Sequence, residues 1–322
     1  MKRIILALTI FTTSLSSAQI FDGLDEILKA SGKDANILFD AYTSPLGESF
    51  TYSLNTGWAS SAKTHKKLGF DLTVGLTAPS VTDAAKSFNI SSLNLTQLSS
   101  SSTTANTVFG PKGTTEFTYT IAGTSLSESF TLPGGLDDDL FMNSLPIPYV
   151  QAGLGLFFDT DLIVRYLPKI ETQGAEIDLI GVGLKHNLMQ YFGLLDKLPL
   201  NVSLLGSFTK LNIDYGLDGP GQKITGSINT FMLQALGSLD FPVISVVGGF
   251  GYGKGDVTFA MLGDYSSINP NIPKDPLKSE QSYTGTHAVI GLRANLLFLK
   301  LFANYTIQEF NTLNFGLSVS FR

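Results

Sequence analysis

The chain has 322 residues, a formal net charge of −6, 15% charged residues and no Cys. An acidic chain with no basic patch argues against a nucleic-acid partner, and no apolar run after the N-terminus reaches the ~18 residues that a spanning helix needs. Charge is sparse against the roughly 25% of soluble domains, and without disulfides an exported chain would need a closed strand ladder for stability.

Residues 1–18 read as a signal peptide. Lys2 and Arg3 form its basic end, Ile4 to Phe11 its apolar centre, and Ser16-Ser17-Ala18 a small-residue cleavage site before Gln19. No Cys follows those small residues, so lipoprotein processing is not expected. Residues 19–56 read as a helical plug segment. Ile20, Leu24, Ile27 and Leu28 share one face of a short helix over 20–31, with Gly32 at its αL cap. A second helical piece spans 34–42 and stops at Pro45. A third places Leu46, Phe50 and Leu54 on one stripe. These apolar residues precede any strand and need burial, so the segment is expected to plug the periplasmic side of a lumen.

Residues 57–322 read as a barrel. Leu68 to Ala78 alternates apolar and polar residues with period two, the mark of a strand between two different solvents. Residues 80–148 break that rhythm with a hydroxyl run, Ser99 to Thr104, and turn signals such as Gly110-Pro111-Lys112-Gly113 and Asp137-Asp138-Asp139. They form a long extracellular excursion, with a possible extra hairpin from 89–98 and 114–121. Alternation returns at Val150 and holds through strands near 150–158, 162–167, 175–185, 200–213, 222–239, 243–261 and 282–296. A helical patch, 187–197, interrupts it. The closing pair is 299–307 and 313–321, where Leu313, Phe315, Leu317, Val319 and Phe321 oppose Asn314, Gly316, Ser318 and Ser320. Short and long connections alternate, as in an up-and-down barrel. The fold expected is therefore all-β, a transmembrane antiparallel up-and-down β-barrel of about twelve strands, ten to fourteen being open, with short N-terminal helices as a possible plug.

The lumen-facing candidates are Asp71, Phe157, Arg165, His287, Arg293, Lys300 and Phe302. This mixed lining suits either a filled barrel or a path for partly apolar solutes. Other chemistry is thin. Gly248 to Gly255 has partial phosphate-loop spacing, but Gly255 stands where a hydroxyl should be and no helix follows, so glycines easing strand curvature are the better reading. His65, His186 and His287 lack metal-ligand spacing. Ser282 and Ser318 are the serines that could accompany an inward His287, against a lumen that is polar anyway. Asp137–Asp139 is a solvated acidic tip before it is a calcium loop. No catalytic residue, metal or cofactor is expected.

Leu145-Pro-Ile-Pro-Tyr-Val-Gln-Ala-Gly-Leu, Asp161-Leu-Ile-Val-Arg-Tyr-Leu-Pro, Gly181-Val-Gly-Leu-Lys-His-Asn-Leu and the run from Gly57-Trp58 to His65 and Gly69-Phe70-Asp71 together resemble an uncharacterised family of Gram-negative outer-membrane barrels. More distantly, the layout resembles the long-chain fatty-acid outer-membrane transporters. The resemblance implies an outer-membrane location, lipid as surroundings, assembly machinery engaged through the C-terminal strand, and uptake or binding of small apolar molecules. The alternative is a non-transporting barrel acting as a structural or assembly partner.

Overall fold

The computed structural model describes residues 21, 23–30, 32–120, 125–140, 143–172, 175–192, 199–217, 219–268 and 270–321. The signal-peptide reading, Ile20 and residues 193–197 of the 187–197 patch lie outside them; within the patch, Met189–Tyr191 is a 3-10 turn. Ten antiparallel strands close into a barrel: β1 (Phe70–Pro79), β7 (Ile147–Gly155), β8 (Thr160–Thr172), β9 (Ala175–Asn187), β10 (Leu200–Gly216), β11 (Lys223–Asp240), β12 (Ile244–Leu262), β13 (Leu277–Leu296), β14 (Leu299–Ile307) and β15 (Thr312–Phe321). Neighbours in sequence pair in the wall, and β1 closes the ring between β15 and β7. The expected count of about twelve is corrected to ten. The extra hairpin expected from 89–98 and 114–121 is corrected too: β5 (Thr115–Thr120) forms a hairpin with β6 (Ser127–Leu132) and pairs on its other edge with the short β3 (Leu98–Ser99), all outside the wall. A second small sheet joins β2 (Ser87–Asn89) to β4 (Thr104–Asn106). Alternation within a segment shows that it is a strand; it does not show its partner.

Two ends follow from the connections. The turn end carries short links such as Leu296 to Leu299, together with Phe321. The loop end carries the excursion between β1 and β7 and the link from β12 to β13. The outward side chains change character between them. On β12, Ile244, Val246, Phe250 and Tyr252 are exposed and apolar, then Lys254, Asp256 and Thr258 take over. On β13, Leu296, Leu292 and Ile290 give way to Thr286, Thr284 and Glu280. On β11, Leu239, Leu233 and Phe231 give way to Asn229, Ser227 and Thr225. On β10, Leu204 and Phe208 give way to Lys210 and Asp214. The apolar belt thus covers the roughly 9–11 residues per strand that a hydrocarbon layer requires, starting at the turn end. Strands β10 to β13, 17 to 20 residues long, rise beyond the belt, whereas β14, β15, β1 and β7 have only 9 or 10.

Leu317 lies in the belt on β15 and Ser318 faces inward, 41% and 4% exposed. Leu317→Arg is expected to cost about 2–4 kcal/mol of folding free energy in lipid vesicles, the toll for a cation at mid-membrane on a barrel wall. Equal titration midpoints for Leu317→Arg and wild type in urea would contradict the belt.

The interior is filled by one helix, α1 (Gly32–Leu54). Of the three helical pieces expected over 20–54, the second and third are corrected, because they form one helix. Gly32 opens α1 rather than capping a preceding helix, and α1 runs through Pro45. A proline removes one hydrogen-bond donor but does not end a helix packed on all sides. Leu38, Phe39, Tyr42, Leu46 and Leu54 are at most 2% exposed. The helix also buries hydroxyls, and these bond within it: Thr43 Oγ1 to the Phe39 carbonyl, Thr51 Oγ1 to Gly47 and Ser53 Oγ to Ser49.

Ahead of α1, Leu24–Lys29 is a 3-10 helix whose Leu24, Ile27 and Leu28 are buried. They pack at the loop end, where Phe21 meets Tyr215 edge-on. The expectation that these plug residues seal the periplasmic side is therefore corrected. The segment enters at the loop end, under the excursion, because that is where the apolar residues of the two small sheets complete a core with it. Asp34, in the first turn of α1, ties the two together. Its carboxylate accepts from the backbone N–H of Thr96, Gln97 and Leu98 and from the Thr96 hydroxyl. Burial acts to raise its pKa, but those donors outweigh burial and hold it below the ordinary aspartate value.

Candidate functional site

Glycines make the room that α1 needs. Gly253 and Gly255 of β12 face inward, and a Cβ on Gly253 would stand 2.6 Å from the Asn55 side chain; one on Gly255 would overlap Thr51. Within the GGFGYGKG run, Gly253 and Gly255 thus serve close packing of wall on plug, whereas Gly249 and Gly251 stand against Leu236 and His287 of the wall. Below α1 the chain continues along the lumen as residues 55–67 and joins β1 at the turn end. Trp58 lies over Gly181 and Gly183 of β9, and its indole N–H donates to the Leu54 carbonyl.

Arg165 of β8 locks this passage. It is 1% exposed and has no carboxylate partner among the described residues. Its guanidinium donates twice to the Thr56 carbonyl at 3.1 Å and twice to Gln151 Oε1. Trp58 and Tyr149 cover its two faces, 4.2 and 4.1 Å from the guanidinium carbon. Gln151 returns a bond from Nε2 to the Trp58 carbonyl. A delocalised, weakly hydrated cation tolerates such a site where an ammonium would not.

Nearer the turn end the lumen opens into a vestibule of about 550 Å³. Its polar wall is organised around three carboxylates. Asp161 of β8 accepts from the His65 backbone N–H at 2.9 Å, faces His65 Nδ1 at 3.1 Å and pairs with Lys185 of β9 at 3.1 Å. Lys185 also donates to the carbonyls of Ser61 and Lys63. Asp240 pairs with Arg293 of β13 at 2.9 Å and accepts from Ser61, Asn201 and Ser238. Asp71 of β1 accepts from Thr73 and Ser318 and lies 3.5 Å from His65 Nε2. Each cluster joins the 55–67 segment to a different part of the wall.

Ser320 Oγ stands 3.4 Å from His65 Nε2, which makes a Ser–His–Asp line with Asp161. The same imidazole nitrogen lies 3.5 Å from Asp71, so His65 sits between two carboxylates. The backbone N–H of His65 bonds the same Asp161, so these contacts tie residues 55–67 to β1, β8 and β15. Ser282, by contrast, is exposed on the outward polar row of β13.

Of the lumen-facing candidates, Asp71, Arg293, Lys300 and Phe302 line the vestibule. Arg165 is sealed above it. His287 is buried higher on β13, where its Nε2 meets Gln234 at 3.1 Å. Phe157 is corrected: it lies in the turn after β7, 61% exposed, with the Lys67 ammonium 4.0 Å above its ring. The strand ends at Gly155, so alternation carried past it gives the wrong side. Asp161, Lys185, Asp240, Trp58 and Tyr149 were missed. All but Trp58 lie on inward rows readable by period two, but nothing local ties them to residues 55–67. Asp137 pairs with Lys86 at 2.8 Å, and among the described residues no cluster of three His, Cys, Asp or Glu could hold a metal.

No curated protein matches this chain. Among solved structures it is similar to Ail, the attachment invasion locus protein of Yersinia pestis, at 11% identity and TM-score 0.28, over 79% of this chain and 99% of that one. It is similar also to the translocator domain of autotransporter NalP from Neisseria meningitidis, at 11% identity and TM-score 0.29, over 88% and 97%. These comparisons supply no link to the long-chain fatty-acid transporters. A family match spans residues 1–321, and the chain belongs to that family, DUF6588, a family of unknown function.

Proposed function

We propose that the protein is an exported barrel of a Gram-negative outer membrane, closed by its own N-terminal segment and acting as a binding or assembly partner rather than as a passage. The observation that carries this reading is the lumen itself, filled by α1 and residues 55–67 from the loop end to the vestibule. The apolar belt supports the membrane location, with short turns on the periplasmic side and long loops outside. Strand β15, ending in Phe321, supplies the C-terminal element for assembly machinery.

Uptake of small apolar molecules requires an apolar path or a lateral gap. The wall is laddered through the belt on both sides of β1, and the vestibule beneath α1 has eight Lys, Arg and Asp residues in its lining. Both features favour the partner reading. The full chain in planar bilayers is expected to pass no steady current, and liposomes carrying it are expected to take up a fluorescent long-chain fatty acid no faster than empty ones. Saturable fatty-acid entry would restore the uptake reading.

A further inference from the structure

The charges of the vestibule do not cancel. Its lining holds five Lys or Arg side chains against three Asp, in a chain whose net charge is −6. The three carboxylates are already engaged by Lys185, Arg293, His65 and hydroxyl groups. Lys63, Lys66 and Lys300 have no carboxylate within ion-pair distance among the described residues. Lys300 is the most telling. It belongs to β14, opposite Ser318 of β15, and shares the cavity with Arg293. A lysine turned into a lumen beside another cation is costly unless an anion compensates it. The cavity volume lies in the range of small-molecule sites, roughly 300–1,000 Å³. Phe241, Pro242 and Leu297 add an apolar part to the lining.

We propose that the vestibule binds a compact oxyanion, a phosphate or carboxylate, carried by a solute that enters from the turn end. Lys300 is its inner ammonium and Lys66 its outer one. Oxyanions are held by charge-assisted hydrogen bonds from such groups, and low-dielectric walls focus the field. This site stands whether or not the barrel conducts.

The test uses the full chain folded in a non-ionic detergent, titrated calorimetrically with inorganic pyrophosphate and, separately, with a short-chain phosphatidylglycerol below its micelle concentration. One saturable site is expected, weakened about tenfold or more by Lys300→Gln and by Lys66→Gln, and unchanged by Lys254→Gln. Lys254 lies on the outward face, paired with Asp256. Heat-modifiable gel migration shows whether each variant is folded, and Lys66, exposed at the cavity edge, provides a change that does not touch the packed wall. Lysine-dependent pyrophosphate binding identifies a free solute. Lysine-dependent binding of the lipid alone identifies a headgroup. No saturable binding of either probe, or binding that Lys300→Gln and Lys66→Gln leave intact, overturns the proposal.

Discussion

Replacing Gly32–Leu54 by a flexible Gly/Ser linker is expected to turn a silent barrel into a conducting one. The inward rows facing α1 are mixed: Gly253, Gly255 and Gly285 are small, while Val257 and Phe259 pack on Gly47 and Leu211 and Ile228 join the same apolar cluster. A closed strand ladder holds its diameter and cannot collapse into the space that a helix leaves. Stability should fall as well. Leu38, Phe39, Leu46, Phe50 and Leu54 each contribute about 1.5–3 kcal/mol when fully buried. Single-channel recording of the refolded variant provides the readout. A variant that keeps heat-modifiable migration yet remains silent would move the seal from α1 to the excursion above it.

Asp161→Ala is expected to destabilise the barrel by about 3–5 kcal/mol, because it strands Lys185 and His65. Lys185 is 6% exposed, and Asp161 is its ion-pair partner in the wall. Removing one member of a buried pair leaves an uncompensated charge, whereas removing both leaves only a packing change. Asp161→Ala combined with Lys185→Met should therefore recover a large part of the loss. Urea midpoints of the single and double variants measure the coupling. Additive losses would mean that solvent in the vestibule already screens the pair.

The wall was legible because two solvents write period two into a strand. Leu313 to Phe321 shows it without interruption, and the outward residues of β15 are the ones expected. The length of β12 was legible as well, as alternation over 243–261. The helix was harder to read. Pro45 reads locally as a stop, and only the wall packed around α1 overrules it. Strand number failed for a related reason: Thr115–Thr120 alternates, but its partner is decided by where residues 24–30 place their apolar side chains. The vestibule was half legible. Period two put Asp71, Arg165, Arg293 and Lys300 on inward rows. Asp71 and Arg165 reach His65 and Thr56 on residues 55–67, a stretch with no period, and the pairings Asp161–His65 and Asp240–Ser61 span 96 and 179 positions.

The direction of α1 has a bearing on how the molecule is made. The helix starts at the loop end, and the chain leaves the lumen at the turn end to begin β1. The finished ring therefore encircles its own earlier residues like a bead on a string. A completed ring could admit them only by drawing the Leu24–Lys29 turn, and whatever precedes it, through a space that α1 alone fills. Threading is avoided if the later strands wrap the helix and the ladder between β1 and β15 zips last. On that route α1 acts as a mandrel: sealing the lumen and completing the ring are one event, and no open intermediate need ever cross the membrane.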